Sequence, residues 1–465
     1  MARRIEIFDT TLRDGNKLPL AVLSAADRLR LALQLERLGV DVIEAGFPSA
    51  SREEAECVAG VAREVRGPYV AALARALDAD VEKALESLRG AARPYVHVYM
   101  SVSPRFLTHV LRAGEEQALK KVGSCIRAAR AAGARVQFSL SEAPHARRGF
   151  LLDAVSAARE AGAAVINVAD TNGILVPEDV AELVGAVKEH LGSAPGAPSV
   201  GVHCHDDLGL ATANSMAAIR AGAGHVEVTV GGFGERAGNA PLEEVVLLIS
   251  ACGERWDICH GVDLSEIART ARLFESLVGI HSHPNKAIIG QCAFVPAEGG
   301  FPGSAADTKA GSLLQPRTIG KEREDVGEPA APDGPYTLQA FNVTTGSNVP
   351  PVGLVVIERE GRTLTQTSHG DGPIDALFRA VDKALGFSTR MVLYSVSTLA
   401  AGTEARTEVT VTVELRGRRF HGRYTSTDVI EASLRAYMRA CNAIGVSGIL
   451  DGPSDFHVAG EYLWE

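Results

Sequence analysis

At 465 residues, with 46% hydrophobic and 22% charged side chains and a mean hydropathy of +0.06, the chain can form two or three domains with separate cores. Its 47 Lys and Arg against 57 Asp and Glu give a net charge of −10, and no basic stretch is dense enough for nucleic acid, so small or acidic metabolites are the expected ligands. Seven scattered cysteines without a C-x-x-C pair argue against a disulfide framework, no apolar run reaches membrane-spanning length, and the start Met1-Ala2-Arg3-Arg4 lacks a signal-like apolar core; a cytoplasmic protein away from membranes is expected.

Short apolar runs alternate with amphipathic stretches along the first half of the chain. Strands are expected near 4–8, 41–46, 69–74, 94–101, 135–140, 164–169, 198–203 and 225–230. Helices are expected near 24–39, 51–65, 78–90, 113–132, 149–161, 177–192, 209–222 and 241–252. Eight β-then-α units in sequence predict a (β/α)8 TIM barrel. An open doubly wound sheet would want a G-x-G-x-x-G turn after its first strand, and none follows here.

Unusual polar residues fall at the carboxyl-terminal ends of these strands, the face where barrels build active sites. Arg13 and Asp14 follow the first strand, Glu44 ends the second, Arg75 follows the third, and His97, Tyr99 and Ser101 lie on the fourth. Gln137, Ser139 and Glu142 end the fifth, Asp170, Thr171 and Asn172 follow the sixth, His203 and His205 mark the seventh, and Glu235 to Asn239 follow the eighth. In a strand, His203 and His205 share a face while Cys204 points to the other, so both imidazoles converge on one point. With Asp14, and with Asn239 able to add an amide oxygen, they form a mixed N/O set suited to a divalent ion (Zn, Mn, Co or Mg), among which the residues do not choose. Such an ion would polarise a carbonyl, and Arg13 is placed to stabilise the oxyanion that develops. Asp206 and Asp207 are expected to orient a histidine or cap the next helix.

Four motifs, Phe8-Asp9-Thr10-Thr11-Leu12-Arg13-Asp14-Gly15, Asp41-Val42-Ile43-Glu44-Ala45-Gly46-Phe47-Pro48, His203-Cys204-His205-Asp206-Asp207-Leu208-Gly209 and Gly234-Glu235-Arg236-Ala237-Gly238-Asn239, resemble the metal-dependent Claisen-condensing barrels. These comprise the 2-isopropylmalate, homocitrate and citramalate synthases, the first being nearest. The resemblance implies that Asp14, His203 and His205 bind the metal with Asn239 in support, that Arg13 assists the carbonyl, and that Thr171 contacts the carboxylate of a 2-oxo acid. The reaction implied joins acetyl-CoA, or a related acyl-CoA, to a 2-oxo acid and hydrolyses the thioester, giving a 2-alkylmalate-type product from a homodimer. Substrate-binding candidates are Lys17, His97, Gln137, Ser139 and Thr171, with Glu142 the acid/base candidate beside Arg13.

The barrel is expected over 1–282, a Pro- and Gly-rich linker with a shortened subdomain over 283–335, and an α+β domain over 336–465. In the last, strands are expected near 336–343, 352–358, 391–398, 407–415 and 419–425, with helices near 373–385 and 427–444. The segments Gly370-Asp371-Gly372-Pro373-Ile374-Asp375-Ala376 and Ser426-Thr427-Asp428-Val429-Ile430-Glu431-Ala432-Ser433 resemble the leucine-sensing domain of 2-isopropylmalate synthase, implying an amino-acid effector or dimerisation.

Three departures from that family bear on substrate. Asn16-Lys17 follows the metal Asp where a Glu-Gln or Asn-Gln is usual, bringing in a cation that can bind a second acidic group. Fifth-strand Gln137 is neutral where a Glu or Arg is usual, and Ser141 replaces an acid. After Asn285-Lys286-Ala287-Ile288 the family's Gly-Ile-His-x-Asp-Gly segment is replaced by Phe294-Val295-Pro296-Ala297-Glu298-Gly299-Gly300, so its catalytic His has no counterpart there. The alternatives these raise are a synthase for an acceptor with an extra acidic or phosphonate group, and a non-catalytic ligand-sensing relative.

Overall fold

A computed structural model describes residues 2–18, 23–112, 114–290, 293–294, 315–321, 334–359, 361–398, 407–447 and 449–451. Most of the expected linker, together with the segment that replaces the family's His motif, lies outside these residues. The chain forms two compact units, Met1–Val326 and Gly327–Glu465. No helix among the described residues is long and apolar enough to cross a membrane.

In the first unit, eight parallel strands close a barrel: β1 (Glu6–Asp9), β2 (Val42–Gly46), β3 (Tyr69–Arg75), β4 (Pro94–Ser101), β5 (Arg135–Ser141), β6 (Val165–Asp170), β7 (Ser199–Cys204) and β8 (His225–Val228). Closure is the pairing of β8 with β1, in register from Glu6 with His225 to Asp9 with Val228. Around it run α1 (Ala25–Leu38), α2 (Arg52–Glu64), α3 (Asp78–Ser87), α4 (Glu115–Ala131), α5 (Arg148–Ala161), α6 (Pro177–Leu191), α7 (Ala211–Arg220), α8 (Leu242–Trp256) and α9 (Ile267–Val278). The strands are apolar outward because helices cover that face. Helix α1 shows how local sequence sets an element: Ser24 and Asp27 form a capping box at its start, and Leu31, Ala32, Leu35 and Leu38 make a fully buried stripe against the sheet. Inside the barrel, Phe8, Val42, Ala71 and Tyr95 form an apolar floor, the Phe8 and Tyr95 rings meeting edge-on at 5.9 Å. This floor forces the polar residues of the next layer up toward the mouth.

The second unit is a three-strand meander and a helix, used twice. Strands β9 (Tyr336–Gly346), β10 (Val349–Arg359) and β11 (Arg362–His369) precede α10 (Pro373–Leu385); β12 (Arg390–Thr398), β13 (Thr407–Leu415) and β14 (Arg418–Ser426) precede α11 (Val429–Val446). Both sheets are antiparallel, and the helices meet where Phe378 stacks on Tyr437 at 4.2 Å and 14°. Among the elements that exceed the sequence reading, two stand out by length. Strand β11 is rich in Thr and Ser instead of apolar residues, and α9 follows the last barrel unit.

Candidate metal centre

The turn after β1 is tied by one carbonyl: Thr10 O accepts from the amides of Arg13 (3.1 Å), Asp14 (2.8 Å) and Gly15 (3.1 Å). Gly15 is required here because a Cβ would sit 2.5 Å from Thr11 O. The turn aims Arg13 and Asp14 over the mouth. Arg13 Nε donates to Glu44 Oε2 at 2.6 Å and its Nη1 to Asp14 Oδ2 at 2.7 Å, while Nη2 lies 3.9 Å from Glu227. Burial alone would lower the Arg13 pKa, but the charges of Asp14, Glu44 and Glu227 outweigh it and raise the value. The guanidinium is therefore permanently charged and rigidly held.

Asp14, His203 and His205 are all buried, and one ligand atom from each lies within 4.8 Å of the others. Nε2 of His203 is 3.7 Å, and Nε2 of His205 3.5 Å, from Asp14 Oδ2. Burial pushes the Asp14 carboxyl up, yet Arg13, His205, His203 and Lys17 around it hold it well below the usual range. Burial lowers the His205 pKa, favouring the neutral imidazole. Cys204, between the two histidines, faces the outer apolar layer, as strand alternation requires. Asn239 is brought beside His205 by a bridge between the two residues. That bridge needs Gly238, whose φ is +96° and whose Cβ would meet Gly232 O at 2.0 Å.

Whether these residues suit a cation is tested by what they leave unsatisfied. Among buried side-chain atoms lacking a hydrogen-bond partner are Asp14 Oδ1, His205 Nε2 and Asn239 Oδ1, all belonging to this one cluster. Buried polar atoms are ordinarily paired, so a carboxylate oxygen, an imidazole nitrogen and an amide oxygen left unpaired beside the second imidazole fit a divalent ion. Arg236 donates from Nη2 to His205 Nδ1 (2.6 Å) and Thr171 O (2.8 Å), and is itself gripped by Asp207 at 2.7 and 2.8 Å. With Nδ1 accepting, the neutral His205 ring carries its proton on Nε2, so taking a cation there requires Arg236 to release Nδ1 and the ring proton to move to it.

Beneath the cluster lies a network missed from sequence. Glu227, inside β8, accepts from Gln137 Nε2 (2.6 Å) and Asn167 Nδ2 (2.8 Å) through Oε1, while its Oε2 is 2.9 Å from His203 Nδ1, off the ideal hydrogen-bond direction. Burial raises its pKa, but His203, His97 and Arg13 more than reverse this and hold it far below the ordinary value. A lone charged residue in the apolar run His225-Val226-Glu227-Val228 was the signal available. Glu44 is its counterpart on β2, accepting from Thr10 Oγ1 (2.6 Å), Arg13 and His97 Nδ1 (2.6 Å).

The substrate-binding candidates divide. His97 Nε2 and Ser139 Oγ are 2.6 Å apart at the mouth, and Ser139 also accepts from Asn167 at 2.9 Å. Gln137 lies a layer lower, fully buried, its amide committed to Glu227, Ser139 and the Tyr95 hydroxyl. Thr171 Oγ1 accepts from Glu142 N at 2.9 Å and shares a hydrogen bond with Ser141 Oγ at 3.2 Å, in which either hydroxyl can donate. Glu142 has a left-handed backbone (φ 54°) and takes hydroxyl hydrogen bonds from Ser101 and, at 2.8 Å, Ser103. Lys17 is half-exposed, 3.2 Å from Asp14 Oδ1 and 2.9 Å from Glu235 Oε2.

Residues 4–274, which hold this closed barrel with a carboxylate and two imidazoles at its mouth, match the HMGL-like class. Residues 322–445 match the LeuA allosteric (dimerisation) domain. The 2-isopropylmalate synthase of Pyrococcus furiosus is 37% identical over 502 residues, covering 96% of this chain and 100% of the relative. That of Heliobacterium modesticaldum is 36% identical over 507, covering 97% and 98%. The chain belongs to the 2-isopropylmalate synthase family. Both alignments exceed the 465 residues of this chain, so the relatives carry segments without a counterpart here. Among solved structures, the Bacillus subtilis HMG-CoA lyase superposes with a TM-score of 0.52 at 24% identity, covering 60% of this chain and 95% of the lyase, a likeness of fold. An Acinetobacter baumannii HMG-CoA lyase, in complex with coenzyme A and 3-methylmalate, does so with 0.52 at 20%, covering 64% and 97%.

Proposed function

We propose that this chain condenses acetyl-CoA, or a related acyl-CoA, with a 2-oxo acid and hydrolyses the thioester to a 2-alkylmalate-type product. The observation that carries the reading is the convergence of unpaired buried polar atoms from Asp14, His205 and Asn239, with His203, beside the fixed guanidinium of Arg13. Asp14, His203 and His205, with Asn239, would hold a divalent cation, which when bound supplies Lewis-acid polarisation of the oxo acid's carbonyl. Arg13, already charged and immobilised by Glu44, needs no reorganisation to meet the oxyanion as it grows. Thr171 offers its hydroxyl proton to the acceptor's carboxylate, and His97 and Ser139 line the acceptor's side. Glu142 is our choice for the carboxylate that takes the α proton of the acyl group, its orientation set by Ser101 and Ser103. The match of residues 322–445 supports an effector-binding, dimer-forming role for the second unit, with an amino acid as effector. The test supplies the full chain with Mg, Mn, Co or Zn, acetyl-CoA and a panel of 2-oxo acids. CoA thiol should appear, and Asp14→Ala should abolish it. Absence of thiol release across the panel would defeat the proposal, and binding without turnover would instead favour a sensor.

A second reading, of the acceptor, rests on the composition of the mouth. By strand alternation the inward positions above the floor include Leu73, Arg75, Tyr99, Ser139, Ser141 and Thr171, to which the loop adds Lys17. Such a lining is too polar for a branched aliphatic side chain and suits an acceptor with a second carboxylate or a phosphonate, bound at Lys17 in place of Glu235. Lys17→Gln should raise KM for such an acceptor by about tenfold while sparing a branched 2-oxo acid. Equal effects on both would remove this reading.

A further inference from the structure

One histidine of the cluster has its second ring nitrogen already taken. Arg236 Nη2 stands 2.6 Å from His205 Nδ1, 2.8 Å from the Thr171 carbonyl oxygen and 2.8 Å from Asp207 Oδ2, and Arg236 Nε donates to Asp207 Oδ1 at 2.7 Å. A guanidinium only donates, so Nδ1 is the acceptor and the neutral ring keeps its hydrogen on Nε2. Nε2 is the buried nitrogen that faces Asp14 Oδ2 at 3.5 Å, where a cation would have to bind. A histidine that binds a metal ordinarily donates its other N–H to a carboxylate or a backbone carbonyl. Asp207 and the Thr171 carbonyl are groups of that kind, gathered on the same guanidinium nitrogen as the ring, and Arg236 engages both of them along with it.

This grip is oversubscribed. Nη2 carries two hydrogens and faces three acceptors, so one of the three goes short of a full hydrogen bond. If His205 is given up, both hydrogens still have a partner, in Thr171 and Asp207. The backbone at Arg236 is in the left-handed region, with a φ of 57°, a conformation that residues other than glycine seldom adopt. Gly234 and Gly238 lie two residues to either side, and Asn239, which follows, is another member of the cluster. A shift of Arg236 is therefore passed along a short glycine-flanked loop to a second cation donor.

We infer, on the reading of Asp14, His203, His205 and Asn239 as a cation set, that Arg236 is a latch. It is a positioning residue that holds His205 in the tautomer unable to take a cation, and loading of the site requires it to let go of Nδ1. The change moves the ring hydrogen from Nε2 to Nδ1 by exchange with water. The ring is neutral before and after, and the protein neither gains nor loses a proton. Asp207 and the Thr171 carbonyl, released from the same grip, are the groups that receive the new Nδ1–H.

Manganese is titrated calorimetrically into the chelator-stripped full chain, the parent beside Arg236→Ala and Arg236→Lys. Lysine keeps the positive charge but has no planar fork to span Asp207, Thr171 and His205 at once. Both variants should bind manganese more tightly than the parent, Arg236→Ala by about tenfold, the worth of one charge-assisted hydrogen bond. Equal or weaker affinity in Arg236→Ala overturns the inference. So does tightening in Arg236→Ala beside a parent-like Arg236→Lys, which reduces the effect to charge. Should either variant fail to fold, the parent decides: nitrogen NMR of isotope-labelled histidines, with His205→Asn for assignment, should show His205 as Nε2–H before zinc and Nδ1–H after it. An Nδ1–H ring before zinc overturns the latch alone, whereas a parent that binds neither manganese nor zinc overturns the latch together with the cation reading beneath it.

Discussion

Replacing Glu227 by Gln changes one oxygen to an amide nitrogen at the base of the metal cluster and should act through a proton's position. Oε1 of Glu227 accepts from both Gln137 at 2.6 Å and Asn167 at 2.8 Å, so the new carbonyl oxygen must stay there. The new NH2 then faces His203 Nδ1, 2.9 Å from the atom it replaces. Two donors cannot face each other, so His203 must present a lone pair at Nδ1 and carry its proton on Nε2, the nitrogen that looks toward Asp14 at 3.7 Å. A protonated Nε2 is lost as a ligand. Outer partners of metal-binding histidines typically contribute 10–100-fold in affinity, so a loss of about 1.4–2.7 kcal/mol in cation binding is expected. Stability should fall by about 1–3 kcal/mol, because Arg13 keeps Asp14 and Glu44 as counter-charges. The assay is calorimetric titration of zinc or manganese into chelator-stripped protein, with thermal unfolding alongside. Parent-like cation affinity in Glu227→Gln would refute the reasoning, whatever its stability.

Other outcomes follow from features described above. Saturating cation should stabilise the chain by RT ln(1 + [L]/Kd), about 2.7 kcal/mol at a hundredfold excess over Kd, and Asp14→Ala should erase the shift seen in thermal unfolding. Gly238→Ala should lower cation affinity by disturbing Asn239, because its Cβ would collide with the Gly232 carbonyl; unchanged affinity in a folded variant would contradict this. In the second unit, burial raises Asp382 from its ordinary 3.8 to about 7, against hydrogen bonds from Tyr437 and Ser388. A carboxyl raised on folding favours the native state fully below its unfolded pKa, and that advantage is lost as pH rises toward 7. Asp382→Asn should therefore be more stable than the parent at pH 8, with a ceiling of about 4 kcal/mol, and should flatten the pH dependence of urea unfolding between pH 4 and pH 7. Parallel pH profiles for the two proteins would rule this out.

The barrel was legible because its physics is periodic. Parallel strands covered on both faces read as apolar runs, and all eight expected positions differ from the structure by no more than two residues at either end. The ligand set was legible because it stands out from that background at strand ends. Glu227 and Asn167 were not, because they sit within strands whose other residues are apolar, and only three-dimensional closure reveals that their polar atoms pair with one another. Strand β11, Arg362-Thr363-Leu364-Thr365-Gln366-Thr367-Ser368-His369, escaped for another reason: it is an edge strand of its sheet, largely exposed, so no apolar periodicity was needed to hold it. Helix α9 lay beyond the point where eight units had already completed the count, although Ile267, Ala271, Phe274 and Val278 mark its buried stripe.

The pairing of β8 with β1 has a consequence for how this protein comes into being. Asp14 is made almost first and Asn239 more than two hundred residues later, and the two stand on opposite sides of the seam where the sheet meets itself. A growing chain that has emerged only through His205 owns three of the four donors but has no wall to hold the first against the others. Capture of the proposed cation would thus begin only when the last strand has docked, which would make the ion a reporter of completed folding. Partially assembled barrels, however native their helices, should leave the metal in solution.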